Sequence, residues 1–157
     1  MPVIEPGQKA PAFSLPDQHG QTHTLAGYAG RPVVIFFYPK DNTSGCTKEA
    51  CTFEAALPKF DTSKAVVLGM SVLDSASKAR FAKKHGLTFP LLADEDHAVA
   101  DRYGAWQKKS LYGHKYMGIA RITYLIGPDG TVAKRWDSVK PAEHPAEVLA
   151  AVTALPA

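Results

Sequence analysis

One stretch, from Val33 to Phe53, constrains the fold of this 157-residue chain more than any other. Val33 to Tyr38 is a run of β-branched and aromatic residues, which predicts a buried strand. Pro39 opens a polar loop after it, and a helix is expected to begin near Ser44 and to continue to about Phe60. The stretch therefore predicts a strand, a loop and a helix in direct succession.

The rest of the chain repeats this alternation of strands and helices, which predicts an α/β sheet with helices on both faces. The whole chain, residues 1–157, is expected to form one domain, and no internal sequence repeat or linker divides it. A small hairpin, residues 12–15 against 21–24, precedes the first buried strand. The predicted elements that follow the cysteine helix are a strand at 65–73, a helix at 75–85 capped by Ser75, a strand at 89–93, a brief helix at 99–103 capped by Asp96, a loop at 104–118, a hairpin of strands 119–126 and 131–136, and a closing helix at 143–155 whose start Pro141 and Pro145 mark.

Composition excludes several classes of function. The net charge of +3 is mild, and Lys and Arg are scattered without the run that marks a nucleic-acid arm. The N-terminus lacks the pattern of a signal peptide, and no apolar stretch approaches the length of about 18 residues that a membrane span needs. We therefore expect a cytoplasmic protein that binds neither nucleic acid nor membrane.

Both cysteines of the chain, Cys46 and Cys51, fall on the predicted helix after Pro39. Cys46 lies in the first turn, where unpaired N–H groups and the helix dipole favour an anion. Helix N-termini and nearby cations lower the pKa of a cysteine from its usual value of about 8.5. The position of Cys46 therefore predicts a nucleophilic thiolate.

The spacing of the two cysteines predicts that a disulfide between them requires a change of structure. On a regular helix, residues five apart are separated by a rise of about 7.5 Å and point about 140° apart. A disulfide needs Cα atoms within about 7 Å and converging Cβ atoms. We therefore expect Cys51 to reach an oxidised Cys46 only after at least the first turn of the helix unwinds.

An arginine, Arg121, interrupts the apolar stretch 119–126. Its presence there needs an explanation, because an unpaired buried charge is costly. Arg121 either faces solvent from an edge strand or brings its guanidinium beside Cys46. In the second case it favours the thiolate and stabilises negative charge that develops beside the sulfur.

The motif Pro39-x-x-x-Thr43-x-x-Cys46 resembles the peroxiredoxin active-site pattern. The segment from Cys46 to Cys51, Cys-Thr-Lys-Glu-Ala-Cys, is similar to the bacterioferritin comigratory protein, or peroxiredoxin Q, subfamily of atypical two-cysteine enzymes. The resemblance extends over most of the chain, from the segment Gly-x-x-Ala-Pro-x-Phe at residues 7–13 to the segment around Arg121 and beyond. One departure is Ser44, which stands where the subfamily commonly has a second proline.

The resemblance implies a thioredoxin-like fold, with a central mixed β-sheet flanked by helices and an N-terminal β-hairpin. It implies that Cys46 is the peroxidatic cysteine and Cys51 the resolving one, joined by an intramolecular disulfide in the oxidised form. Thr43 would hydrogen-bond the thiolate and the bound peroxide, and Pro39 would shield the pocket. Glu49 would orient the arginine, and Arg121 stands where that arginine is expected.

The implied substrates are hydrogen peroxide and small organic hydroperoxides, and the implied reductant is thioredoxin or a similar dithiol protein. No metal, flavin or haem is implied, and the resemblance favours a monomer or weak dimer.

Three other functions stay open. A thiol–disulfide oxidoreductase would share the fold, but the usual Cys-x-x-Cys spacing is absent from this sequence. A metal-binding or copper-delivery module could use the two cysteines with His114, although the thiols should diverge on a helix. A redox sensor or holdase could use the opening of the helix to regulate a partner, and turnover of peroxide with a reductant separates it from an enzyme. His19 and His23 are interpreted as exposed polar groups of the first hairpin.

Overall fold

A five-stranded mixed sheet lies at the centre of the protein. The computed structural model describes residues 2–41, 43–137 and 143–155. The strands of this part of the chain are β1 Ser14–Pro16, β2 Thr22–Thr24, β3 Val33–Phe37, β4 Val66–Ser71, β5 Leu91–Ala93, β6 Trp106–Leu111, β7 His114–Ile119, β8 Thr123–Ile126 and β9 Val132–Trp136. The helices are α1 Ser44–Thr62, α2 Ser75–His85, α3 Ala98–Arg102 and α4 His144–Thr153, with a short 3-10 helix at Ala26–Tyr28.

The sheet has the strand order β5-β4-β3-β8-β9. β3, β4 and β5 run parallel, with Val33 opposite Val66 and Gly69 opposite Leu91. β8 runs antiparallel to both β3 and β9. The most apolar strand of the sequence, β3, therefore lies in the middle of the sheet, where all five of its residues are buried.

The two faces of the sheet carry separate hydrophobic cores, because successive residues of a strand point to opposite faces. Two successive residues of β3 illustrate this: Phe36 belongs to the core that includes residues of α1, α2 and α4, whereas Phe37 belongs to the core that includes residues of α3 and the N-terminal segment. The ring of Phe53 stacks on Phe36 with centroids 4.7 Å apart, which fixes α1 against the sheet. The predicted α/β architecture with helices on both faces is confirmed.

The first hairpin is also confirmed, with β1 paired antiparallel to β2 through Ser14 opposite Thr24. Two helix caps differ from the predictions. Asp74, not Ser75, is the N-cap of α2, where its carboxylate accepts a hydrogen bond from the Ser77 N–H at 2.8 Å. Asp96 does accept from the Ala98 N–H at the start of α3 at 3.1 Å, but Asp94 accepts from two further N–H groups of that helix.

The predicted loop at 104–118 is wrong, since this segment contains the antiparallel hairpin of β6 and β7. Tyr112 and Gly113 form its two-residue turn, with φ angles of +51° and +77°, as the tightest hairpin turns require. The pattern was missed because the hairpin lies outside the central sheet, so that most of its side chains are exposed and polar. Large exposed apolar side chains are found on it, namely Leu111, Tyr112, Tyr116 and Met117.

The single strand predicted at 119–126 is also wrong. β7 ends at Ile119, the chain changes partners over residues 120–122, and β8 begins at Thr123. In this connection the Ala120 N–H donates to the Ala105 carbonyl, and the Ile122 carbonyl accepts from the Phe37 N–H. Arg121 therefore lies in the connection between two sheets and not within a strand.

The closing helix is confirmed as α4, beginning at His144 with Pro145 in its first turn. Pro141, which was expected to mark the same start, lies outside the described residues.

His144 makes the stability of this fold depend on pH. Its side chain is fully buried, with Nε2 2.8 Å from the Thr123 hydroxyl, and burial lowers its pKa from 6.5 to about 4. Between these two values the unfolded chain binds a proton that the folded chain does not, so the free energy of unfolding falls as the pH falls from 6.5 to 4. We expect His144 to contribute a loss that approaches about 3 kcal/mol at pH 4, measured as the difference between wild type and a His144 variant in urea unfolding between pH 7 and pH 4.

The variant His144→Gln isolates this contribution, because glutamine does not titrate. Glu49 contributes with the opposite sign over nearly the same window, since its pKa is raised to about 7; it is present in both proteins and cancels in the comparison. An equal dependence on pH in the wild type and the variant would contradict the assignment to His144.

Candidate active site

Cys46 occupies the first turn of α1, as the sequence predicts. The helix begins at Ser44, with Thr43 as its N-cap residue, and the Thr47 N–H donates to the Thr43 carbonyl. The Cys46 side chain is buried, with 1% of its surface exposed. A thiolate at this position has the N–H groups of the first turn and the positive end of the helix dipole beside it.

Arg121 reaches the same point from the connection between β7 and β8. Its Nη2 lies 3.4 Å from Cys46 Sγ, and its Nη1 donates to Glu49 Oε1 at 3.0 Å. Burial would lower the pKa of the guanidinium, but the negative charges of Cys46 and Glu49 outweigh it and raise that pKa. The guanidinium therefore stays charged and bridges the sulfur and the carboxylate.

Glu49 is fully buried one helical turn after Cys46, so the two side chains share a face of α1. Burial raises the pKa of Glu49 to about 7, although the charge of Arg121 opposes this. One oxygen, Oε1, accepts from Arg121, while Oε2 has no hydrogen-bond partner among the described residues. A buried carboxylate in this place can hold the guanidinium in one orientation.

Thr43 and Pro39 come shortly before Cys46 in the chain, at and before the start of α1. The Thr43 hydroxyl donates to the Lys40 carbonyl at 2.9 Å, which leaves its oxygen lone pairs free to accept. Both residues line a pocket of about 390 Å³. Its other walls are mostly apolar and come from the residue after β4 and from the β6–β7 hairpin: Val72, Trp106, Lys109, Tyr116, Met117 and Ile119.

Lys109 belongs to this site and was not singled out from the sequence. It lines the pocket, and burial together with the positive charge of Arg121 lowers its pKa, against the effect of the Cys46 charge. No local pattern placed it there, because its side chain depends on a hairpin that was interpreted as a loop.

Gly45 is a second residue that the sequence interpretation missed. A Cβ atom built on it would lie 3.1 Å from Arg121 Nη2, which is closer than normal van der Waals contact. A glycine in the first turn of a helix, where it lowers helix propensity, is the signal that could have pointed to such an approach.

We expect Gly45→Ala to displace the Arg121 guanidinium by a few tenths of an ångström from Cys46. The reaction of Cys46 with peroxide should slow by about threefold to tenfold, which corresponds to about 1 kcal/mol in the barrier. Stability should not fall, since alanine favours the helix by up to about 1 kcal/mol over glycine. Stopped-flow kinetics measure the reaction rate of Cys46, and thermal unfolding measures the stability of the variant. A slower reaction that merely parallels a loss of stability would contradict the steric explanation.

Cys51 lies on the same unbroken helix as Cys46 and is half-buried. Both thiols are free. Because α1 is continuous from Ser44 to Thr62, the two cysteines are separated by the rise and rotation of an intact helix, which a disulfide cannot bridge.

The described residues contain no group of three or more His, Cys, Asp or Glu side chains that could hold a metal ion. His114 lies on the exposed hairpin strand β7. His23 contacts Asp17 and Tyr28 in the first hairpin and its surroundings, where it is partly buried, so the expectation of an exposed side chain is wrong for this residue. In the described part of the chain, no helix is both long enough and apolar enough to cross a bilayer.

Comparisons with known proteins agree with this arrangement. A profile of the AhpC/TSA family matches residues 6–135. The chain is 43% identical to peroxiredoxin Bcp of Bacillus subtilis over 147 residues, covering 94% of each chain. Its fold is similar to that of the Xanthomonas campestris bacterioferritin comigratory protein, which has alkyl peroxide reduction activity, with a TM-score of 0.89, 39% identity, and coverage of 96% of this chain and 98% of that one.

A third similar protein is Xylella fastidiosa PrxQ in a cysteine-to-serine form, with a TM-score of 0.92, 33% identity and 98% of both chains covered. The thioredoxin-like fold implied by the sequence is confirmed by these two structures. With the family match over most of its length and these relatives beside it, the chain belongs to the AhpC/TSA family and, within it, to the Bcp or PrxQ peroxiredoxins, which are thiol-dependent peroxidases.

Proposed function

We propose that this protein reduces hydrogen peroxide and organic hydroperoxides with Cys46 as the attacking thiolate and Cys51 as the resolving thiol. The observation that carries the proposal is the contact of 3.4 Å between Arg121 Nη2 and the buried Cys46 Sγ in the first turn of α1. A cation and a helix N-terminus at one thiol favour its ionised, nucleophilic form.

The first step is a displacement at oxygen. The Cys46 thiolate attacks the distal oxygen of ROOH, a new S–O bond forms, and the O–O bond breaks. The electron pair of that bond leaves on RO⁻, which takes up a proton and departs as alcohol, or as water when R is hydrogen. Cys46 is oxidised to a sulfenic acid. Arg121 and the N–H groups of the first turn stabilise the charge as it moves along the O–O bond.

The second step joins the two cysteines. The Cys51 sulfur attacks the sulfenic sulfur of Cys46, a disulfide forms, and the hydroxyl leaves as water with the Cys51 proton. This step requires the first turns of α1 to unwind, because an intact helix holds the two sulfur atoms apart. A dithiol protein of the thioredoxin type then reduces the disulfide and is itself oxidised to a disulfide.

The remaining residues of the motif bind and position the peroxide. Thr43 accepts a hydrogen bond from the peroxide with its hydroxyl oxygen, and Pro39 keeps water from the thiolate. Glu49 holds Arg121 in place through the hydrogen bond of 3.0 Å. The pocket of about 390 Å³ with mostly apolar walls has room for the alkyl group of an organic hydroperoxide.

The cellular setting follows from this cycle. A dithiol reductant is needed after every turnover, and the cytoplasm keeps such proteins reduced. We place the protein there, as one domain that acts as a monomer or weak dimer, and the cycle uses no metal or other cofactor.

One experiment tests the proposal directly. Reduced protein is mixed with one equivalent of hydrogen peroxide in a stopped-flow instrument, and its mass is measured under non-reducing conditions. Rapid loss of peroxide with a mass decrease of two hydrogens is expected. Consumption at the rate of an ordinary thiol would contradict the activation of Cys46. Repeated turnover with thioredoxin and its reductase separates an enzyme from a redox sensor, which would stop after one cycle.

A further inference from the structure

A fully buried lysine lies next to the loop that precedes Cys46. Lys78 of α2 has none of its surface exposed. Its Nζ lies 2.5 Å from Ser71 Oγ, 3.2 Å from Tyr38 Oη, and 3.4 Å from each carboxylate oxygen of Asp41. A buried ammonium is tolerated only when it is paired and its donors are satisfied. These contacts satisfy it and neutralise its charge.

Asp41 is bound from several sides. The Tyr38 hydroxyl donates to its Oδ1 at 2.6 Å, and the Ser77 hydroxyl donates to its Oδ2 at 2.8 Å. Burial and the charge of Asp41 raise the pKa of Tyr38 well above its usual value, so its hydroxyl keeps the proton that it donates. Asp41 itself is 6% exposed. The carboxylate is therefore held by Lys78, Tyr38 and Ser77 together.

The position of this ion pair in the chain connects it to the reacting cysteine. Tyr38 directly follows β3, and Asp41 stands two residues before Thr43, the N-cap residue of α1. The pair thus ties residues 38–41 to α2 and to the end of β4. The loop carries Pro39 and Thr43, which line the pocket, and ends where the helix with Cys46 begins.

We infer that Lys78 is a positioning residue that holds residues 38–41, through Asp41, in the form that reacts with peroxide. The inference rests on the proposed cycle, in which the folded first turn of α1 reduces peroxide and its unwound form makes the disulfide. The buried pair adjoins the first turn of α1 on its N-terminal side. Its loss shifts the population from the folded to the unwound form.

This shift has a kinetic signature that a general loss of stability lacks. Oxidation of Cys46 needs the folded loop, so it should slow when the pair is broken. Disulfide formation from the sulfenic acid needs the unwound form, so it should accelerate. A buried ion pair with a purely structural role would lower the global stability without moving the two rate constants in opposite directions.

The test uses Lys78→Met, which keeps the unbranched shape of the side chain and removes its charge. Oxidation by hydrogen peroxide is followed by stopped flow, and disulfide formation by acid quench and intact mass. Both are measured at a temperature where circular dichroism shows a folded protein. We expect oxidation to slow by about threefold and disulfide formation to accelerate by about threefold, as for a shift of about tenfold in the ratio of the two forms.

The variant Asp41→Asn and the double variant complete a cycle. The asparagine of Asp41→Asn keeps one acceptor oxygen, for Tyr38 or Ser77, and offers an amide donor to the other hydroxyl. The double variant leaves no unpaired buried charge. Its effect on the oxidation rate should therefore be smaller than the product of the two single effects. Should Lys78→Met fail to fold, Ser77→Ala can replace it, because it removes one hydrogen-bond donor from Asp41. Oxidation should then slow and disulfide formation accelerate, each by a smaller factor than in Lys78→Met.

Thr88→Val is the matched control. The Thr88 hydroxyl lies 2.7 Å from Glu54 Oε2 and ties α1 to the segment before β5, well beyond Cys46 along the helix. Its loss should leave both rate constants unchanged. Equal rates in the wild type and a folded Lys78→Met, or the same decrease in both steps, would overturn the inference. Slow oxidation of the wild type would instead overturn the proposed function.

Discussion

Replacing Cys46 with serine is expected to abolish peroxide reduction, because serine at neutral pH offers no anion to attack the O–O bond. Replacing Cys51 with serine should leave the first step intact. The Cys51→Ser protein should consume one equivalent of peroxide at the wild-type rate and then stop, since the sulfenic acid has no thiol to join. Stopped-flow kinetics measure the first step, and intact mass should show the gain of one oxygen atom.

Together the two variants assign a separate role to each cysteine, which neither variant does alone. A Cys46→Ser protein that still consumed peroxide rapidly would transfer the role of nucleophile to Cys51. Continued turnover of Cys51→Ser with a protein reductant at the wild-type rate would mean that Cys51 does not resolve the sulfenic acid. The wild type should lose two hydrogens under the same conditions, and reduction should restore its mass.

Arg121→Gln is expected to slow the oxidation of Cys46 by about 10²- to 10³-fold, the usual cost of losing one donor that stabilises transition-state charge. Glutamine keeps hydrogen-bonding groups but removes the charge that lies 3.4 Å from the sulfur. It also leaves Glu49 buried without its cation, which should raise the pKa of that carboxyl further. Arg121→Lys should retain part of the rate, because it keeps the charge but cannot contact the sulfur and Glu49 with two nitrogens.

The second-order rate constant with hydrogen peroxide, measured over a range of pH, tests this prediction. Arg135→Gln is a suitable control, because Arg135 pairs with Glu5 and Asp137 at the protein surface. It should react at the wild-type rate. An Arg121→Gln protein within threefold of the wild type would show that the guanidinium is not needed for the displacement, whatever its distance from the sulfur.

The elements that could be predicted are those whose pattern is local. The apolar run of β3 and the helix from Ser44 are each specified within a few residues, and the structure confirms them. The hairpin of β6 and β7 could not be found in the same way. Its two strands form their backbone hydrogen bonds with each other, outside the central sheet. Their side chains are therefore mostly exposed and polar, and the sequence pattern resembles that of a loop.

The residues of the candidate site also differ in whether a local pattern could place them. Cys46 was placed correctly in the first turn of a helix, because only a strand, a turn and a helix start are involved. The partner at its sulfur was proposed with the help of a resemblance, although Arg121 lies in a connection and not in the predicted strand. Neither Gly45 nor Lys109 could be linked to the site, since each depends on where distant segments pack.

The sequence alone determined the order of the elements of the central sheet and its helices, the family, and the helix start on which Cys46 lies. The tertiary structure decided which charges meet that thiol. Arg121 is 75 residues away from Cys46 along the chain, and Lys78 is 37 residues from Asp41. Burial and Coulomb interactions depend on three-dimensional distance and on exclusion of water. A local pattern reports neither, so nothing in the sequence near Lys78 indicates that the fold buries it completely.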